Sequence, residues 1–187
     1  MPETEATHAQ GPMEAAQDGY PFESRSHGCP CDYFGDPKRD CRCTPHQIAR
    51  YMSRVSGPLL DRIDIHVDVP RVAYRDLRDR RPGEGSTAMR EQVAAAREVQ
   101  RLRFGTDGTA SNARMTNRQI QKHCGIDVET ESLLERAMAQ QAFSARSYTR
   151  ILKVARTIAD LAGADGIRLE HVAEAIQYRT AERQFWG

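Results

Sequence analysis

Apolar residues are spread unevenly along the chain, and their spacing predicts a helical second half. The first Ile, Val and Leu are Ile48, Val55 and Leu59. From about residue 87 onward, apolar residues recur every three or four positions, which is the period of an amphipathic helix. The predicted helices cover residues 87–104, 144–162 and 169–178, with two shorter ones that begin after Thr116 and Asp127.

Helix-capping residues precede these segments and support the predicted boundaries. The predicted N-caps are Ser86 or Thr87, Thr116, Asp127 and Ser144. Gly163 follows the helix of residues 144–162 and is predicted to end it. The predicted apolar side of the helix over residues 87–104 consists of Met89, Val93, Ala96 and Val99.

Residues 44–69 are predicted to form one helix and one strand. Thr44 precedes Pro45 and is predicted to cap a helix that continues through Met52. Residues 63–69 then alternate strictly between apolar and polar side chains, which is typical of a half-buried strand.

Composition narrows the class of protein. Leu, Ile, Val and Phe make up 32 of the 187 residues, a fraction at which disorder is a reasonable interpretation. Residues 1–28 lack any apolar period and carry a net charge of −4, so we expect them to be disordered.

We find no apolar run near the roughly 20 residues of a membrane span and no targeting signal, so a soluble, cytoplasmic protein without membrane contact is predicted.

Four cysteines, Cys29, Cys31, Cys41 and Cys43, follow the spacing C-x-C-x9-C-x-C. A cytosolic chain keeps its thiols reduced, so a metal site is expected before disulfides. Zn²⁺ prefers four such ligands in a tetrahedron and would stabilise a segment that has no aliphatic core. The alternatives are reduced cysteines in a flexible loop or a redox-sensitive cluster. Cys124 stands alone and is predicted to be a small buried packing residue.

Cationic side chains at two places in the sequence are candidates for phosphate contacts. Arg62 follows the apolar pair Leu59-Leu60, which would anchor a turn and direct its guanidinium outward. An ordinary surface pair with Asp61 or Asp64 is the alternative. Arg146, Arg150 and Lys153 share one face of a predicted helix, where they form either an anion site or a solvated basic surface.

Signatures of a complete catalytic site are missing from the sequence. It contains no G-x-x-x-x-G-K-[ST] phosphate loop, and no H-E-x-x-H or G-x-S-x-G motif. The net charge of +1 also gives no overall basic field for nucleic acid. Because these catalytic motifs are missing, the chain alone is predicted to be inactive as an enzyme.

Several specific motifs nevertheless resemble the magnesium-chelatase-like AAA+ ATPases of the YifB/ComM family. The resemblance covers about residues 29–187 and is carried by Cys29-Pro30-Cys31, Gly35-Asp36-Pro37, Cys41-Arg42-Cys43, Gln47-Ile48-Ala49-Arg50-Tyr51, the run from Ser56 to Ile65, the run from Leu152 to Leu161, the run from Glu174 to Arg179, and Trp186-Gly187.

This resemblance implies a mainly α fold: a remnant of an AAA+ α/β core with one or two strands, followed by a helical lid bundle. Residues 29–85 would be the C-terminal part of the core, residues 86–187 the lid domain, and residues 1–28 a leader outside the family. The family implies hexamers that use ATP and Mg²⁺, and ComM acts in branch migration of DNA during natural transformation. By resemblance, Arg62 is the arginine finger that acts on the next subunit's ATP, and Arg146 is the sensor-2 arginine.

Departures from the family pattern also carry information. The resemblance begins after the positions of the Walker A and Walker B motifs, and His27-Gly28 stands where the family has an Asn-Pro pair with the sensor-1 asparagine. We therefore expect the C-terminal part of a longer, truncated or frameshifted gene. The alternative function is a non-catalytic, zinc-stabilised module that binds DNA or protein.

Overall fold

The computed structural model describes residues 29–31, 33, 34, 39–54, 62–67, 69, 72, 74, 78, 83–105 and 111–186. This part of the chain is helical, which confirms the mainly α class, and none of its helices is long and apolar enough to cross a bilayer. The expected disorder of residues 1–28 lies outside the described residues. The helices are α1 (Pro45–Met52), α2 (Ser86–Phe104), a 3-10 helix (Asn112–Arg114), α3 (Asn117–His123), α4 (Val128–Gln140), α5 (Ala145–Leu161) and α6 (Leu169–Trp186).

Most helix ends lie where the capping residues predict them. Each predicted cap side chain accepts a hydrogen bond from the backbone N–H three residues later, at Thr44, Thr116, Asp127 and Ser144. The C-terminal end of α5 is closed by Gly163, whose φ of 66° is the left-handed conformation that glycine adopts without strain. Helix α2 differs, because it begins at Ser86 after Gly85 and has no side-chain cap.

Helix α5 is the centre of the bundle. It packs against α2, α3, α6 and the 3-10 helix, while α4 packs against α6. The core that these helices share is formed by Phe104, Met115, Ile120, Cys124, Leu134, Ile151, Leu152, Ala155, Ala159, Ile167, Val172 and Ala175. Cys124 is 4% exposed, so its predicted role as a buried packing residue is confirmed.

Helix α2 buries a different face from the one its apolar residues predict. Of the predicted stripe, Ala96 is buried, whereas the others are exposed, at Met89, Val93 and Val99. The buried face instead contains Gln100 and Phe104. Gln100 accepts a hydrogen bond from the backbone N–H of Asn112, so a polar contact with the 3-10 helix fixes the rotation of α2.

Residues 63–67 and 69 do not form the predicted strand. A strand requires a hydrogen-bonded neighbour, and no β-ladder is present among the described residues. The segment instead lies along α6, where the backbone N–H of His66 donates to the carbonyl oxygen of Tyr178 at 2.9 Å. Ile65 and Val67 consequently remain exposed, and residue 68 lies outside the described residues.

A buried polar network joins α2, the 3-10 helix and α5 around the carboxylate of Asp160. Arg103 donates to its two oxygens at 2.7 and 2.5 Å. Asn112 Nδ2 and Arg156 Nε donate at 2.7 and 3.0 Å. The Asp160 side chain is fully buried, and that of Arg156 is 3% exposed. This network links α2, the 3-10 helix and α5 through one buried carboxylate.

Acid is expected to weaken this network. Burial raises the pKa of Asp160, but hydrogen bonds from Arg103 and Asn112 and the positive charge of Arg156 together outweigh it, so its pKa lies below the ordinary value. Its stabilising contribution is therefore present above the unfolded pKa of about 3.9 and is lost as the pH falls through the folded pKa. We expect the free energy of unfolding, measured by denaturant titration, to fall as the pH decreases from about 5 to about 2.

Asp160→Asn is the variant that tests this pH dependence, because it removes the titrating group. We expect a shallower fall of stability with pH in this variant. Some slope will remain, since the hydrogen bonds with Thr130 also lower the pKa of Asp127. An unchanged slope would show that Asp160 does not control acid unfolding.

Candidate functional site

The structure brings the four predicted cysteine ligands into one cluster. The Sγ atoms of Cys29 and Cys31 are 3.3 Å apart, and those of Cys31 and Cys41, and of Cys41 and Cys29, are 3.6 Å apart. With Cys43 included, all four sulfurs lie within 4.8 Å of one another. Zn–S bonds of about 2.3 Å in a tetrahedron separate neighbouring sulfurs by about 3.8 Å. The cluster can therefore hold a metal ion of zinc's size and preference.

The surroundings of the cysteines shift the pKa values of their thiols in opposite directions. A hydrogen bond from the Tyr33 backbone lowers the pKa of Cys31 to about 6, so this sulfur is a thiolate at neutral pH. Burial raises the pKa of Cys43 to about 12. Arg39 lies over the Tyr33 ring, 5.0 Å from its centroid, and donates to the Tyr33 hydroxyl at 2.6 Å. This stacked pair joins residues 33 and 39, which lie between the two cysteine pairs in the sequence.

Arg62 lies in a turn, and its side chain is exposed. Its carbonyl oxygen accepts a hydrogen bond of 2.8 Å from Nη1 of Arg150. Asp64, one of the two partners considered for Arg62, instead forms an ion pair with Arg150. Asp61 lies outside the described residues. The turn is thus attached to α5 through its backbone, while the Arg62 guanidinium faces solvent.

The predicted basic face of α5 divides between two roles. Arg150 is bound to residues 62 and 64, and Lys153 Nζ donates to the carbonyl oxygen of Ala113 at 2.9 Å. Arg146 lies in the first turn and is exposed, and in the part of the chain that the structure describes no hydrogen bond or ion pair involves its guanidinium. The three cations therefore do not form one anion site, and Arg146 alone faces solvent near the positive end of the helix dipole.

Sequence reasoning missed Arg179, which is the largest fully buried side chain among the described residues. Its Nη1 donates to the carbonyl oxygen of Ile63, and its Nη2 donates to the hydroxyl of Ser147 at 3.2 Å. A cation just past the end of the predicted helix over residues 169–178 gives no spacing signal for burial, although the observed helix continues to Trp186. Only the three-dimensional approach of the 62–66 segment to α5 and α6 reveals its role.

Two family models match the chain. The model for the C-terminal part of magnesium chelatase subunit ChlI matches residues 83–179. The model for magnesium chelatase subunit ChlI matches residues 25–77. Together they include the cysteine cluster, Arg62 and Arg146.

Individual relatives give a consistent result. Competence protein ComM of Haemophilus influenzae is 41% identical over 145 residues, which are 76% of this chain and 27% of that protein. The protein YifB of Salmonella typhimurium is 40% identical over 143 residues, 76% of this chain and 28% of that protein. YifB of Escherichia coli is 38% identical over the same length and the same shares. The chain thus spans less than a third of the length of these relatives.

Proposed function

The chain belongs to the magnesium chelatase subunit ChlI family, and we propose that it acts as the C-terminal part of a ComM-type AAA+ ATPase. In this role it supplies an arginine finger, Arg62, and a sensor-2 arginine, Arg146. The observation that carries the proposal is the exposure of both arginine side chains on neighbouring parts of the chain. These parts contact each other, because Arg150, one turn after Arg146, donates to the Arg62 carbonyl.

The chemistry of phosphoryl transfer explains why two exposed arginines suit this role. Negative charge accumulates on the phosphoryl oxygens in the transition state, and an arginine finger that reaches them raises kcat by about 10³–10⁵. Arginine stays charged at any physiological pH and donates in a planar fork that matches phosphate. Arg62 is held by its backbone, and among the described residues no hydrogen bond or ion pair involves its exposed guanidinium.

The nucleotide that Arg62 contacts is proposed to be held by a neighbouring subunit, because an arginine finger acts on the phosphates bound by another subunit. ATP supplies the phosphoryl group, and Mg²⁺ neutralises charge on its phosphates. The proposed partner is a ring of ATPase subunits of the same family, a hexamer. The name of the Haemophilus relative, a competence protein, supports DNA as the proposed substrate, with ATP-driven branch migration as the work performed.

Complementation of a finger-deficient relative tests the proposed function. Haemophilus ComM in which the arginine aligned with Arg62 is replaced by alanine would be mixed with this chain, and ATP hydrolysis would be measured as a function of chain concentration. We expect the wild-type chain to raise the hydrolysis rate at least tenfold, as mixed rings regain the guanidinium. Arg62→Ala is expected to leave the rate at its starting value.

Arg101→Ala is the matched control, since Arg101 is an exposed cation of α2 paired with Glu98. It should raise the rate as the wild type does. Equal rates with the wild type and Arg62→Ala, or no rescue by either, would contradict the role of Arg62. Salt-dependent DNA binding without any effect on hydrolysis would favour the non-catalytic binding module instead.

The metal of the cysteine cluster is proposed to be a structural Zn²⁺ held by Cys29, Cys31, Cys41 and Cys43. Four thiolate-forming ligands at tetrahedral spacing, without a position left for substrate, are typical of structural rather than catalytic zinc. Its proposed work is to fold residues 29–43, which contain no branched aliphatic residue.

A further inference from the structure

The segment that carries Arg62 is held by two arginines that no motif assigns to a function. Arg150 of α5 donates to the carbonyl oxygen of residue 62 at 2.8 Å. Arg179 of α6 donates to the carbonyl oxygen of residue 63. The backbone N–H of His66 completes the attachment through the Tyr178 carbonyl. These three contacts fix the backbone at residue 62 and at the residues that follow it, as far as residue 66.

Arg150 is suited to orient the turn rather than to bind an external anion. The same Nη1 that reaches the Arg62 carbonyl also contacts the Asp64 carboxylate. The ion pair with Asp64 neutralises the charge of Arg150, and the Arg150 side chain is only 23% exposed. A guanidinium held between a carbonyl and a carboxylate two residues apart defines the path of the backbone between them.

Arg179 connects the same turn to the helix that carries Arg146. It is 1% exposed, and it bridges the carbonyl oxygen of Ile63 and the hydroxyl of Ser147. Ser147 is buried in the first turn of α5, next to Arg146, where its backbone N–H is capped by Ser144. The turn with Arg62 and the first turn of α5 therefore share one buried donor.

We propose that Arg150 and Arg179 are positioning residues that fix the direction of Arg62, because they bind the carbonyl oxygens of residues 62 and 63 and the Asp64 carboxylate to helices α5 and α6. This inference rests on the proposed role of Arg62. Catalysis is sensitive to such placement, because a displacement of about 1 Å costs on the order of 10²-fold in rate. Arg150 and Arg179 act through Arg62 and need not touch the nucleotide.

Arg150→Ala is the decisive variant, since Arg150 is near the surface, whereas removal of the buried Arg179 would endanger folding. In the complementation assay with finger-deficient ComM, we expect Arg150→Ala to lower the maximal rescued rate at least tenfold, with an unchanged half-saturating chain concentration. Arg150→Lys should recover part of the rate, because its ammonium can reach the carbonyl but lacks the fork. Arg101→Ala should match the wild type.

Hydrogen exchange gives a second readout that does not depend on ATP hydrolysis. We expect Arg150→Ala to speed exchange of the His66 amide at least tenfold while amides in α4, such as that of Leu134, keep their rates. Equal exchange at His66 in the variant and the wild type would overturn the inference, as would a wild-type rescued rate with Arg150→Ala.

The two assays also separate this inference from the function on which it rests. If Arg62→Ala abolishes rescue and Arg150→Ala does not alter it, the positioning role is wrong and the arginine finger stands. If Arg62→Ala has no effect while exchange at His66 increases in Arg150→Ala, the contact fixes the turn but the proposed function is wrong, and with it the inference.

Discussion

Replacement of Asp160 by alanine is expected to lower the free energy of unfolding by about 3–5 kcal/mol. Asp160 is the acceptor for Arg103, Arg156 and Asn112, and its removal leaves the charge of Arg156 buried without its carboxylate. A buried ion pair adds little over an apolar core, but loss of one partner is costly because the other charge keeps its desolvation penalty. Denaturant unfolding followed by circular dichroism measures the change.

Glu98→Ala is the matched control, because it also removes one carboxylate that accepts two hydrogen bonds from an arginine. The Glu98–Arg101 pair is exposed, with side chains 53% and 69% accessible, so we expect a much smaller loss of stability than in Asp160→Ala. If the two variants lost similar stability, the network around Asp160 would not be the main link between α2, the 3-10 helix and α5.

The helices of the bundle were predictable from sequence because their signals are local. A cap residue acts on a backbone N–H three positions away, so Thr116, Asp127 and Ser144 mark helix starts without reference to the rest of the fold. Gly163 likewise ends α5 through its own conformation.

Features that depend on distant partners were not predictable in the same way. The alternation in residues 63–69 predicts a strand, yet a strand exists only with a neighbour, and this segment bonds to α6 instead. In α2, the apolar period favours Val93 and Val99, but the hydrogen bond that Gln100 accepts from Asn112 and the ion pair of Arg103 with Asp160 select another face. Long-range polar contacts outweighed a weak apolar period.

In the candidate site, too, local features were predictable from sequence, whereas contacts with distant segments were not. The cysteine spacing predicts a cluster, and the sulfurs do converge. The grouping of Arg146, Arg150 and Lys153 by helical period was correct as geometry but wrong as one anion site, because Arg150 and Lys153 are bound to carbonyl oxygens of other segments. The functions of Arg62 and Arg146 stay predictions.

We expect each chain to bind one zinc ion. Cys41→Ser is expected to lower the zinc affinity at least 100-fold, because a structural site loses one of its four ligands. Cys41 lies 3.6 Å from both Cys29 and Cys31, so its sulfur contacts the other cysteine pair directly. Zinc content of the purified chain by elemental analysis and competition with a chromogenic chelator give the two quantities.

Cys124→Ala is the matched control, because Cys124 is a buried thiol of the helical core outside the cluster. It should keep full zinc content although it loses core packing, whereas Cys41→Ser should lose zinc without altering the unfolding of α2 to α6. The expected separation has a physical reason. Among the described residues no hydrogen bond or ion pair joins the cysteine cluster to the Asp160 network, and sites without shared partners contribute additively to stability. Zinc retained by Cys41→Ser, or a zinc-dependent loss of the Asp160-centred bundle, would refute a local structural metal.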